Sequence, residues 1–246
     1  MVRYISTGVE MAKNGAINAM VTCPINKKAL HLAGIHHPGH TELIAELTNT
    51  GDFIMMMAGK RLKVTLVTIH IPVKAVPKGL SVEKITKTIQ LTAEGLKTLF
   101  GVKNPRIAVA GLNPHSGEDG RFGIEEMSII RPAVLRSARK GIFIEGPLPP
   151  DTVFYHALHG RYDAVVCMYH DQGLVPFKLI HFKDGVNVTL GVPIIRTSVD
   201  HGTAYDIAGT GKGDPGSLLS AIRLAARQAR NTRLSITTRF HSKKNL

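Results

Sequence analysis

Short apolar runs alternate along the chain with longer stretches in which apolar residues recur every three or four positions. The runs 19–22, 53–57, 63–69, 106–110, 164–168 and 187–190 have the length and the Val, Ile, Thr and Met content of buried strands. Helical spacing marks residues 2–13, 41–47, 82–100 and 125–140. The clearest is 82–100, where Ile85, Ile89, Leu91, Leu96 and Leu99 recur at roughly helical spacing and Ser81 stands ready as N-cap. Strands that alternate with helices of this length predict an α/β fold with a largely parallel sheet. The loop EGPLPPD at 145–151 is the strongest punctuation and predicts a passage between two lobes within a region spanning 1–231. After Asn231 the periodicity fades, and 232–246 reads as a disordered basic tail.

Composition adds limits. At 246 residues, with 43% hydrophobic and 20% charged side chains, the chain can bury a sizeable core. No run of about 18 apolar residues is present, so no membrane partner is expected. The formal charge of +13 is local: from Pro215 onward there are seven basic residues (Arg223, Arg227, Arg230, Arg233, Arg239, Lys243 and Lys244) and no acid. With 5% aromatics and no Trp there are few surfaces for stacking bases, which argues against nucleic acid as the partner. Cys23 and Cys167 are too few for a disulfide framework, and each sits in an apolar stretch that predicts a small buried hydrophobe. The first residues lack the plan of a secretory signal, which predicts a cytoplasmic protein.

Histidines supply the candidate chemistry. LKVTLVTIH ends at His70, RIAVAGLNPH at His115 and DAVVCMYH at His170. Each apolar run enters a histidine at its carboxyl end, the edge where open α/β sheets bind ligands. Three imidazoles meeting there match a catalytic divalent metal site with positions left open; strand-end histidines that merely bond to loop carbonyls are the competing reading. PGHTE places His40 and Thr41 at a helix start, suited either to an anion or to ordinary capping by Thr41. Arg196 suits bidentate carboxylate or phosphate recognition, whereas Lys27 and Lys178 fit either a phosphate contact or a solvated surface. GKGDPG at 211–216 matches G-x-G-x-x-G literally, but no strand precedes it, and Asp214 or Ser217 capping the next helix accounts for it.

Taken together, PGHTE, TIH, GLNPHSGEDGRFGIEE, GPLPPDTVF, MYHDQGLVPFK and DGVNVTLGVPIIRTSVDHGTAYDIAGTGKG resemble the 4-hydroxythreonine-4-phosphate dehydrogenase family of pyridoxal phosphate (vitamin B6) biosynthesis. The resemblance implies a two-lobed α/β/α fold like that of isocitrate and isopropylmalate dehydrogenases, and a homodimer whose active site is shared between subunits. Family members open with a strand and a glycine-rich GDPxGIGPE motif ahead of the region where this chain starts, so it also implies an incomplete first lobe.

Carried over position by position, His70, His115 and His170 match the family's divalent-metal ligands, with Zn, Mg or Co as the ion. His40, Thr41, Lys178, Asn187 and Arg196 match its substrate contacts, and His201, Gly202, Thr203 and Ala204 a loop that holds NAD or NADP. The implied reaction is NAD(P)-dependent oxidation of 4-(phosphooxy)-L-threonine to 2-amino-3-oxo-4-(phosphooxy)butanoate, which loses CO2 to give 3-amino-2-oxopropyl phosphate. The alternatives are a paralogue acting on D-threonate or D-erythronate 4-phosphate, a catalytically impaired fragment, and a basic module whose tail binds a polyanion.

Overall fold

The computed structural model describes residues 1–34, 37 and 39–242, with side chains described as far as residue 232. In chain order the elements begin with α1 (Val2–Lys13), β1 (Met20–Thr22), α2 (Lys27–Leu32) and α3 (His40–Leu47). Next come β2 (Ile54–Ala58), β3 (Lys63–Leu66), α4 (Val76–Gly79), α5 (Val82–Thr98) and β4 (Arg106–Ala110). Then follow α6 (Arg131–Ala138), β5 (Phe143–Leu148), α7 (Val153–Leu158), β6 (Ala164–Cys167) and α8 (His170–His181). The last are β7 (Val186–Leu190), β8 (Arg196–Val199) and α9 (Gly216–Ser242).

The chain divides into two compact units, one of Met1–Phe53 with Lys183–Leu246, the other of Ile54–Phe182. The passage expected at 145–151 is therefore misplaced. Most of that stretch is β5, paired in parallel with β4 inside the second unit. Its Gly146 and Pro147 read as a loop, but a strand at the end of a sheet tolerates proline because the missing N–H has no ladder partner to satisfy.

In the second unit the strand order is β2-β3-β6-β4-β5. Only the β2–β3 pair is antiparallel; β3, β6, β4 and β5 all run the same way. Side chains alternate across the strands, so both faces need cover. Val64, Leu66, Val165 and Cys167 pack with Val153 and Ala157 of α7 and Leu174 and Phe177 of α8. On the opposite face the Thr65 hydroxyl is 3.0 Å from that of Thr92 in α5. Helix α5 starts where Ser81 accepts a hydrogen bond from the Lys84 N–H at 3.1 Å, as its sequence predicts.

The first unit has the order β1-β8-β7, with β8 parallel to β1 and antiparallel to β7. Ile5 and Val9 of α1 and Leu43 and Ile44 of α3 pack with Met20 and Ile194. Across the sheet, the Thr197 hydroxyl donates to the Ala221 carbonyl of α9 at 3.0 Å. Strand β8 escapes a hydrophobicity scan because it reads Arg-Thr-Ser-Val, yet all four residues are buried. Helix α9 continues past Asn231 to Ser242, so the tail expected at 232–246 is helical in backbone up to that point; Lys243 and Lys244 lie outside the described residues. Asp214 accepts from the Gly216 N–H at 2.8 Å ahead of α9, the capping role expected of GKGDPG. Among the described residues no helix is long and apolar enough to cross a membrane.

Of the two cysteines, Cys167 is buried as expected and Cys23 is not. Cys167 ends β6 in the core, and burial alone pushes its thiol well above the usual range. Cys23 is exposed, because it falls one residue past the end of β1, where no neighbouring strand covers it. A maleimide added to native protein is expected to label Cys23 alone, with Cys167 reacting only after denaturation. Mass spectrometry of tryptic peptides checks this, and equal native labelling would contradict the packing.

Candidate functional site

The three predicted histidines all belong to the second unit. His70 lies four residues past β3, His115 follows β4, and His170 is the first residue of α8, directly after β6. Their strands are adjacent and parallel in the order β3-β6-β4, so all three histidines emerge from one edge. His70 and His115 are exposed and His170 is half-buried. The rings of His70 and His170 face each other with centroids 5.7 Å apart, a gap that one ion bonded at about 2.1 Å to each imidazole can bridge. His170 Nδ1 lies 2.6 Å from the Asp171 carboxylate, which leaves Nε2 as the outward nitrogen. His115 packs instead near Phe122, centroids 6.1 Å apart. Among the described residues no three His, Cys, Asp or Glu side chains stand close enough to enclose an ion. Three imidazoles at one edge are nonetheless donors of the kind a divalent metal takes.

The backbone that carries His115 is unusual. Residues 115–119 all have left-handed dihedrals, from φ 50, ψ 29 at His115 to φ 54, ψ 34 at Asp119. Such a conformation costs about 1–2 kcal/mol for each non-glycine residue and persists only when its surroundings impose it. Just ahead of this stretch the chain is held by Glu126, 1% exposed, which escaped the sequence reading. Its Oε1 accepts from the N–H groups of Leu112 and Asn113, both at 2.7 Å, and its Oε2 from Asn113 Nδ2 at 2.9 Å. A Cβ on Gly117 would fall 2.8 Å from that carboxylate, so only glycine fits there. The spacing of the glycines in GLNPHSGEDGRFGIEE was the available signal.

The predicted anion residues lie mostly in the first unit. Arg196 on β8 is 3% exposed, and its guanidinium donates to Thr22 at 2.8 Å, Thr189 at 3.1 Å and Thr41 at 3.4 Å. Its Nε has no partner among the described residues. Burial draws its pKa down to about 10, with Glu42 opposing, so it remains charged near neutrality. Asn187 shares a face of β7 with Thr189. The sequence reading gave His40, Thr41, Asn187 and Arg196 but missed Thr22 and Thr189, whose hydroxyls carry no motif. Thr41 does not cap α3: the N-cap is Gly39, without a side-chain bond, and the Thr41 hydroxyl turns to Arg196. Pro38 of PGHTE lies outside the described residues. His201, Gly202, Thr203 and Ala204 form an exposed loop after β8, with Ala204 left-handed at φ 46. Lys178 lies on α8 in the second unit, half-buried, and Lys27 opens α2.

His40 is the most perturbed group here. Burial first and Arg196 second lower its pKa to about 4, so it is a neutral hydrogen-bonding imidazole near neutrality. The unfolded chain binds that proton from about pH 6.5 downward while the folded chain resists it, so stability falls as pH drops from about 6.5 to 4. Urea midpoints of wild type and His40→Gln at pH 7 and 4.5 are expected to show a smaller acid loss in the variant; equal losses would remove His40 as the cause.

The chain is similar to several known proteins. A 4-hydroxythreonine-4-phosphate dehydrogenase of Desulforapulum autotrophicum is 62% identical over 229 residues, which are 93% of this chain and 67% of that protein. A D-threonate 4-phosphate dehydrogenase of Pectobacterium atrosepticum is 49% identical over 227 residues, 92% of this chain and 69% of that one. The crystal structure of 4-hydroxythreonine-4-phosphate dehydrogenase from Klebsiella pneumoniae superposes with a TM-score of 0.87 at 49% identity, covering 93% of this chain and 69% of that one. The chain thus spans about two thirds of the length of these relatives. The profile of the family described as pyridoxal phosphate biosynthetic protein PdxA matches residues 1–225, and the chain belongs to that family.

Proposed function

We propose that the chain is an oxidoreductase that oxidises 4-(phosphooxy)-L-threonine with NAD or NADP in pyridoxal phosphate biosynthesis. The observation that carries the reading is the delivery of His70, His115 and His170 to one edge by three adjacent parallel strands. The 62% identity to a relative named for this activity supports the substrate, against 49% for one named for D-threonate 4-phosphate, which remains the second reading.

A divalent ion (Zn, Mg or Co) held by the three histidines would supply Lewis-acid stabilisation of charge on a substrate oxygen, and the nicotinamide would accept the hydride. Overall the substrate's CH–OH gives up a hydride and a proton, and the resulting β-keto acid releases CO2. The protein's own groups orient and bind. Arg196 stays charged and pre-positioned by three threonine hydroxyls, with Nε left to meet an anionic oxygen. Neutral His40 and the Thr41 hydroxyl offer hydrogen bonds at the start of α3 without adding charge. Asn187 and Lys178 complete the proposed contacts, and the exposed loop at 201–204 is accessible to the cofactor. Two free thiols support a reducing, cytoplasmic setting.

We also assign a homodimer that shares this site. Val175, Leu179 and Phe182 lie at i, i+4 and i+7 on the outer side of α8 and are 66%, 86% and 77% exposed. An apolar stripe of that kind, opposite an already buried face, suits a self-interface. Leu179→Asp is expected to shift the full chain from dimer to monomer in light scattering, and an unchanged dimer would move the interface elsewhere.

Reduced-cofactor formation tests the activity. The expected result is turnover of 4-(phosphooxy)-L-threonine, at least about tenfold preferred in kcat/KM over D-threonate 4-phosphate, and lost with chelator or in His115→Ala. The reverse preference would favour the second reading, and no turnover of either by folded protein would overturn both.

A further inference from the structure

The β4–β6 ladder pairs Ile107 with Ala164, Ala108 with Val165 and Val109 with Val166. Beyond it the two segments still have several residues to run before His115 and His170. There side-chain bonds join them to each other, while backbone bonds tie each to its other neighbour, Gly111 N–H to the Leu148 carbonyl and Thr68 N–H to the Met168 carbonyl. Gln172 Nε2 donates to the Gly111 carbonyl at 2.6 Å, and its Oε1 accepts from the Met168 N–H at 2.7 Å. The Met168 carbonyl in turn accepts from Thr68, through the hydroxyl at 2.7 Å and the N–H at 3.1 Å. The next two residues after Gly111 are fixed by Glu126, as described above. A continuous polar belt thus crosses the edge from the segment before His70, through the turn before His170, to the segment before His115. Gln172 and Glu126 are 8% and 1% exposed, so neither bond competes with bulk water.

We infer that Gln172 and Glu126 are positioning residues for the histidine site, Gln172 by locking the His115 segment to the His170 turn and Glu126 by fixing Leu112 and Asn113 just ahead of His115. This rests on the metal-site reading above and assigns roles to two residues that do not themselves touch metal or substrate. The sheet does not need these bonds to pair, because they lie past its last rung. Their effect is on where the imidazoles stand, and groups that orient metal ligands typically change metal affinity by about 10–100-fold when removed.

The test is Co(II) binding by the full chain, followed through affinity and the visible absorption of the bound ion, alongside the melting temperature of the metal-free protein. His115→Ala and His170→Ala are the reference variants. Gln172→Met, close in shape but without the amide, is expected to bind Co(II) at least about tenfold more weakly with an altered spectrum. Gln172→Glu keeps the acceptor for Met168 but turns a carboxylate toward the Gly111 carbonyl, and is expected to weaken binding too; it stands in if Gln172→Met fails to fold. Glu126→Gln, which loses only the bond from Asn113, is expected to show a smaller loss and decides the matter if neither Gln172 variant folds. Folded variants that bind as the unaltered chain does, with the same spectrum, while the histidine variants do not, would overturn this inference alone. Unchanged binding in the histidine variants, or none in the unaltered chain, would overturn the metal-site reading and this inference with it.

Discussion

Parallel pairing of β3, β6 and β4 is the constraint on which the candidate chemistry depends. Antiparallel neighbours would send alternate strand ends to opposite edges; parallel ones send every carboxyl end to the same edge. Strands in such a register need helical crossovers: α5 lies between β3 and β4, α6 between β4 and β5, and α7 between β5 and β6, while α5 packs on one face and α7 and α8 on the other. The apolar side chains that make β6 and β3 cohere, among them Val64, Leu66, Val165 and Cys167, therefore also decide where His70 and His170 emerge. One histidine per strand end is chemically ordinary. Three on adjacent ends are a consequence of topology.

Topology alone delivers the histidines only approximately, because each sits past the end of its ladder. The remaining positioning is done by buried polar groups, which act in low dielectric and have few alternative partners. Glu126 and Gln172 hold successive residues of the segment after β4, and Arg196 is held by the Thr22 and Thr189 hydroxyls of the first unit's sheet and that of Thr41 on α3. In both units a buried charged or amide side chain is satisfied mainly by small neutral groups rather than by an opposite charge. Such a partner set fixes orientation without neutralising the group, so Arg196 retains its charge and, among the described residues, an unpartnered Nε.

Much of the fold was legible because burial imposes period. Strand β4 and helix α1 fall where apolar spacing puts them, and α5 carries the cap that Ser81 announces. Strands β5 and β8 were not legible. The first contains Gly146 and Pro147 and survives at a sheet end, and the second is polar because Arg196 bonds to three threonine hydroxyls, Thr197 to the Ala221 carbonyl and Ser198 to the Thr22 carbonyl. Likewise the division of the chain at 53/54 and 182/183 falls at short turns, TNTGD at 48–52 and KDG at 183–185, that look no different from the turns between other elements, since it follows three-dimensional packing rather than linker chemistry. In the candidate site the histidines and Arg196 could be read from residue type and place. Thr22, Thr189, Glu126 and Gln172 could not, because their importance lies in what they hold.

The two kinds of legibility separate along a physical line. Groups that would meet a ligand must present chemistry that few residue types offer, so imidazoles, a guanidinium and exposed glycines reveal themselves in sequence. Groups that orient them need only a donor or acceptor at the right point in a buried frame, and threonine, glutamine or glutamate serve by geometry alone. His40 shows that even the first class is completed by its surroundings. Burial beside Arg196 makes a residue that could have been a cation a neutral partner, so one positive charge rather than two faces whatever binds there. That is the arrangement expected where an anion must be held by direction as well as by charge, and where adjacent cations would otherwise repel each other in a poorly solvated pocket.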